Sequence, residues 1–119
     1  MFLNMNKLAE RLKALSDPTR LRIMRLLTYG ELCVCDLVGG LDLPQPKVSR
    51  HMTYLKKSGW VTGRKSGKWV YYTLAKPQCE IQQNIINVLS ANLPQLEQAK
   101  ADEKRLALFL KNKRASTCN

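Results

Sequence analysis

Cys33 and Cys35 stand two residues apart in the run Glu31-Leu32-Cys33-Val34-Cys35-Asp36-Leu37. Thiolates this close form a chelate: once one sulfur has bound an ion, the second bond costs little further entropy. Their preference is for soft, thiophilic species such as As(III), Sb(III) and Cd(II), not hard cations. Cysteine is also a common core residue, so the surroundings must decide between packing and chemistry. The other two cysteines are Cys79 and Cys118. Cys79 reads most simply as a structural thiol and Cys118 lies one residue from the end, and either is a candidate third sulfur. The single histidine, His51, rules out a His-rich zinc site. No Cys-x-x-Cys and no cluster of acids suited to acid–base work occurs, so an enzyme is not expected.

A second signal is the distribution of charge. The chain of 119 residues carries a net charge of +11. Like charges repel in a compact state, whereas the same charges favour a polyanion through counterion release. No Asp or Glu occurs from Leu43 through Cys79, while Lys47, Arg50, Lys56, Lys57, Arg64, Lys65, Lys68 and Lys76 all lie there. A contiguous stretch of one sign is the electrostatic footprint of nucleic-acid binding.

The elements that must position these groups follow from periodicity. Met5, Leu8, Leu12 and Leu15 recur at helical spacing. Ser16-Asp17-Pro18 then breaks the chain and starts a second helix, capped by Asp17 and buried through Leu21, Met24 and Leu27. A third helix is expected from about Glu31 to Val38, ended by Gly39-Gly40, with Leu41 to Pro44 as a turn. A fourth is expected from about Gln45 to Lys57, with Val48, Met52 and Leu55 inward and Ser58-Gly59 closing it. Two short helices joined by a Gly-containing turn form a helix-turn-helix. After Gly59 the period becomes alternating. Trp60 to Arg64 and Trp69 to Leu74 read as strands joined by Lys65-Ser66-Gly67-Lys68, a hairpin in the position of a wing. A further helix carries Ile81, Ile85, Val88 and Leu89, and Pro94 interrupts it. Lys111 to Asn119 reads as a polar, frayed and flexible tail.

The expected fold is therefore mainly α with a small β-hairpin, a single dimeric winged helix-turn-helix domain over residues 1–119. In it, the start of the fourth helix offers Gln45, Lys47, Ser49, Arg50 and His51 to double-stranded DNA. Gln45 and Arg50 suit base edges, and Lys47 and Ser49 suit phosphates. Arg64, Lys65 and Lys68 would add wing contacts. A homodimer would set two such helices about one DNA turn apart, with the first and last helices supplying the interface. No apolar run approaches the roughly 18 residues of a membrane span and no leader-like N-terminus is present, so a cytoplasmic location is expected, with reduced thiols. On a regular helix, residues i and i+2 point in widely different directions. Cys33 and Cys35 would then share an ion only if the helix start bends or unwinds, which would misplace the recognition helix. The chemistry expected is a transcriptional repressor whose hold on its operator is broken by a thiophilic ion. A thiol-based redox sensor, or a sensor of Cd(II) or methylated arsenicals with the same fold, is the alternative, and a ligand-insensitive structural DNA binder ranks lower.

From about Leu8 to Lys76 the chain resembles the ArsR/SmtB family of winged-helix metalloregulators. Four pieces carry the likeness: Ser16-Asp17-Pro18-Thr19-Arg20-Leu21-Arg22-Ile23, Glu31-Leu32-Cys33-Val34-Cys35-Asp36-Leu37, Gln45-Pro46-Lys47-Val48-Ser49-Arg50-His51 and Gly67-Lys68-Trp69-Val70. The second resembles the arsenic-sensing branch. The resemblance implies a homodimeric repressor of an arsenic-resistance operon, with As(III) or Sb(III) as inducer and Cys33 and Cys35 as the two principal ligands. The chain departs from that branch at Val38, where a third cysteine is usual, and at Pro44, where a capping Ser is common.

Overall fold

The computed structural model describes residues 4–115. Helix α1 spans Met5–Leu15, capped by Asn4, whose side chain accepts from the Lys7 N–H at 2.9 Å. Helix α2 spans Pro18–Leu27, and Asp17 accepts from the Arg20 N–H at 3.0 Å. A capping oxygen satisfies one of the four donors a helix start leaves open, and Pro18 occupies a position that needs no donor. A short strand β1, Leu32–Cys33, leads into α3, Val34–Leu41, and α4 follows at Gln45–Lys57. The core lies where α2, α3 and α4 meet, with Ile23, Leu26, Leu37, Leu41, Val48, Met52, Leu55 and Trp60 essentially buried.

The third helix differs from the expectation of 31–38. Residues 32–33 are extended, and the helix runs on through both glycines to Leu41. Asp42, in the left-handed region at φ 55°, closes it. The glycines are there for contact, not termination. Helix α6, Glu97–Ala115, packs across α3. A Cβ on Gly39 would collide with the edge of the Phe109 ring, and one on Gly40 would lie 3.0 Å from Leu26 Cδ1 and 3.1 Å from Leu106 Cβ. At Gly39 a Cβ would force the ring to move, and at Gly40 its neighbours would have to give by a few tenths of an ångström.

The wing is β2, Val61–Ser66, and β3, Trp69–Leu74. Ser66 pairs with Trp69, so the loop is only Gly67-Lys68, with Gly67 at φ 62°, and Lys65 belongs to the strand rather than the turn. The sheet order is β1-β3-β2, all antiparallel, with Leu32 opposite Tyr72 and Cys33 opposite Tyr71. This third strand was not legible beforehand, since two residues are too few for an alternating pattern.

The C-terminal region divides. Helix α5, Glu80–Asn92, ends in a single 3-10 turn, Leu93–Gln95, around Pro94. It leaves Ile81 and Val88 exposed, as α1 leaves Met5 and Leu12. Helix α6 instead turns back into the chain. Leu106 joins the core, and the buried Asp102 accepts from Arg22 Nε and Nη2, both at 2.8 Å, and from Gln98 Nε2 at 2.9 Å. A buried carboxylate is tolerated only when so satisfied. The helix continues over 111–115, where the sequence reads as a polar tail.

Candidate functional site

Cys33 is the last extended residue before α3, at φ −86° and ψ 169°. That single backbone feature decides how the two sulfurs are placed. Because Cys33 precedes the helix and Cys35 is within it, the i, i+2 divergence of a regular helix does not apply. The two Sγ atoms lie 3.3 Å apart. No unwinding is needed to bring them together, which corrects the sequence-based expectation. Cys33 is buried, Cys35 partly so.

Asp36 completes the cluster. One carboxylate oxygen accepts from the Cys33 N–H at 3.0 Å, capping the helix in reverse. The other accepts from Lys113 Nζ at 2.7 Å, and the same ammonium stands 3.7 Å from Cys33 Sγ. Burial opposes the charge on Lys113, but the Asp36 carboxylate and Cys33 outweigh it and hold the ammonium above its ordinary value. Among the described residues, Cys33, Cys35 and Asp36 are the group whose ligand atoms converge, all within 4.8 Å of one another. The two sulfurs are the soft donors that a thiophilic ion selects, and the Asp36 carboxylate is a harder oxygen donor beside them. Cys79 is placed elsewhere, at the cap of α5. Cys118 lies outside the described residues. Val38 leaves no sulfur at its position, and the neighbouring charged groups are Asp36 and Lys113. The spacing of Asp36 from Cys33 is that of a capping pair and was a readable signal. Lys113 had none, being 77 residues from Asp36.

The DNA-reading candidates fall on two elements. Gln45 and Arg50 are exposed on α4, while Lys47, Ser49 and His51 are partly buried there. Pro44 precedes the helix without a side-chain cap, and its carbonyl accepts from the Lys47 and Val48 N–H groups at 3.1 Å. His51 Nδ1 lies 3.1 Å from Arg20 Nη1 and 3.9 Å from Asp17, so its ring is held against the start of α2. Burial drives its pKa down. Asp17 opposes this in part, and Arg20, Arg50 and Lys47 reinforce it. Arg64, Lys65 and Lys68 are exposed on the wing. Arg64 is already engaged, donating to both oxygens of Glu31 at 2.6 Å and lying over the Tyr71 ring. That pair ties the wing to the segment entering the thiol site.

Residues 17–62 match the family model for bacterial regulatory proteins of the arsR family. The arsenical resistance operon repressor of Escherichia coli K12 is 56% identical over 64 residues, which cover 53% of this chain and 55% of that protein. The matched segment thus spans about half the length of that relative. The arsenic resistance transcriptional regulator ArsR2 of Pseudomonas putida KT2440 is 42% identical over 101 residues, covering 84% of this chain and 83% of the relative. The homodimeric winged helix-turn-helix DNA-binding domain of a Mycobacterium bovis protein, a possible ArsR-family transcriptional regulator, superposes with a TM-score of 0.65 at 26% identity, over 78% of this chain and 84% of that one. With this extent of likeness and this arrangement of helices and wing, the chain belongs to the ArsR family of bacterial regulatory proteins.

Proposed function

We propose that the protein is a homodimeric repressor that grips operator DNA through α4 and the wing and lets go when As(III) or Sb(III) is held by Cys33 and Cys35. The observation that carries this reading is the 3.3 Å approach of the two sulfurs at a residue that both opens α3 and pairs with the wing. The relatives named for arsenical resistance support the choice of inducer. A trivalent arsenic or antimony centre would supply strong, directional bonds to soft donors.

The chain's own residues provide the response. An ion held on the sulfurs and drawing on Asp36 would compete with the bonds that carboxylate makes to the Cys33 N–H and Lys113. Releasing Lys113 loosens the last turns of α6 from α3, and α3 supports α4. Moving Cys33 disturbs its pairing with Tyr71 and, through Glu31, the position of Arg64. Both routes reach DNA-contacting elements. Recognition helices in a dimer must match the DNA repeat, so a small displacement forfeits several contacts together. The exposed apolar residues of α1 and α5, Met5, Leu12, Ile81 and Val88, are the proposed dimer face. Candidate contacts to DNA remain Gln45, Lys47, Ser49, Arg50 and His51 on α4, with Arg64, Lys65 and Lys68 on the wing.

The test is fluorescence anisotropy of labelled duplex from the region upstream of the gene, titrated with arsenite under reducing conditions, beside Cys33→Ser/Cys35→Ser protein. A fall in anisotropy for the wild type alone is expected. Equal loss in both proteins would place the sensing elsewhere, and binding that arsenite never disturbs would remove arsenite as inducer. The short sulfur–sulfur distance also favours a thiol-oxidation reading, so an oxidant replaces arsenite in a parallel arm.

A further inference from the structure

A basic groove of about 850 Å³ runs between α1 and the C-terminal half of α4, on a part of the molecule that neither the thiol site nor the wing uses. Its rims carry Lys7 and Lys13 from α1 and Arg50 and Lys57 from α4, all exposed, against one acidic residue, Glu10. The groove begins at Arg50, a residue of the recognition surface, and so continues that surface rather than standing apart from it.

The floor is built, not incidental. Trp60 Nε1 donates to the Arg11 carbonyl at 2.8 Å, fixing α1 to the end of α4. Arg11 donates to Gln82 Oε1 at 2.8 Å and to Gln78 Oε1 at 2.9 Å, and Gln82 Nε2 donates to the Gly59 carbonyl at 3.0 Å. Gln82 is buried at 2% exposure. A buried polar side chain satisfied at both ends rigidifies its neighbours. Here it locks α1, the end of α4 and the start of α5 in one orientation. Arg11 is spent on that lock, which leaves Lys7, Lys13 and Lys57 as exposed cations around the groove, on helices held in place.

We infer that this groove seats the sugar-phosphate backbone of operator DNA flanking the bases read by α4, with Lys7, Lys13 and Lys57 as phosphate contacts. The occupant follows from charge and continuity. Duplex DNA presents a dense negative track, and a strand leaving the recognition helix at Arg50 meets this row of cations next. Such contacts position the protein without reading sequence. Helix α1 would therefore be a DNA-binding element as well as part of the proposed dimer face. This inference rests on the repressor reading.

The experiment measures affinity for operator and for an unrelated duplex across a salt series, with wild type and the Lys7→Gln/Lys13→Gln/Lys57→Gln protein, without arsenite. All three side chains are exposed, and circular dichroism checks that the variant folds. Each phosphate contact contributes about 0.9 to the slope of log affinity against log salt. The variant should lose roughly 2 to 3 from that slope and about a hundredfold in affinity at 0.15 M salt, equally for both duplexes. An unchanged slope with operator bound normally by both proteins would overturn this inference alone. So would a loss confined to the operator sequence, because phosphate contacts are blind to sequence. Wild-type protein that binds neither duplex would overturn the repressor reading together with it.

Discussion

Cys33 lies opposite Tyr71 across the β1–β3 ladder, so a thiol of the candidate sensing site is also a backbone partner of the wing. Cys33 is at once the end of a strand, the cap of α3 and a proposed ligand. Arsenite should therefore be felt in the wing as well as in the helices. Hydrogen exchange at Tyr71 and Tyr72 is expected to quicken when arsenite is added to the wild type and to stay constant in Cys33→Ser protein. Constant exchange in both, with release of DNA intact, would leave α3 as the sole route.

Asp36 is buried at 3% exposure and binds the Cys33 N–H on one side and Lys113 on the other. Asp36→Ala would leave a buried donor and an ammonium unpaired. The expected loss is about 2–4 kcal/mol in urea denaturation. Asp36→Asn keeps an acceptor for the N–H and should lose less. Both variants should need more arsenite to release DNA than the wild type. Variants as sensitive as the wild type would exclude the carboxylate from the site.

Gly39 faces the Phe109 ring with no room for a Cβ. Gly39→Ala must push α6 away from α3, at about 1–3 kcal/mol. Trimming the ring in Gly39→Ala/Phe109→Leu should recover part of that loss, which a simple helix-propensity effect would not allow, since alanine favours helix. Thermal unfolding of the three proteins decides between the two.

The α2–α4 junction should weaken in acid. Burial holds His51 below the ordinary histidine value, so the unfolded chain binds the proton more readily. Stability from this site is complete above about pH 6.5 and declines as pH falls through the depressed folded value. For Asp17, burial pushes the pKa up, but the Arg20 N–H and the charges of Arg20 and His51 outweigh it, and the net value is lowered. Its contribution is present above about pH 4 and is lost as pH falls further, through its own depressed value. Denaturant midpoints from pH 8 to 5 should fall for the wild type and vary less for His51→Gln.

Local chemistry was enough to place much of this molecule. Asp17-Pro18 fixed the start of α2, because a capping oxygen and a missing donor act within one turn. The apolar spacing of Val48, Met52 and Leu55 placed α4, and alternation after Gly59 placed the wing. The charge map, the pair Cys33 and Cys35 and the family likeness needed no coordinates. What depended on residues far apart in the chain was not legible. Gly39 and Gly40 read as a stop because glycine ends helices, yet here they admit α6, a contact made by Phe109 and Leu106 some 65 to 70 residues on. Cys33 reads as helical, yet pairing with Tyr71 holds it extended and thereby turns its sulfur toward Cys35. Lys113 reads as tail, yet α6 carries it to Asp36. Short-range rules of capping and periodicity set the elements. Packing between distant segments set which side chains meet, and here that is the difference between two cysteines separated by one residue and a cluster in which their sulfurs and the Asp36 carboxylate converge.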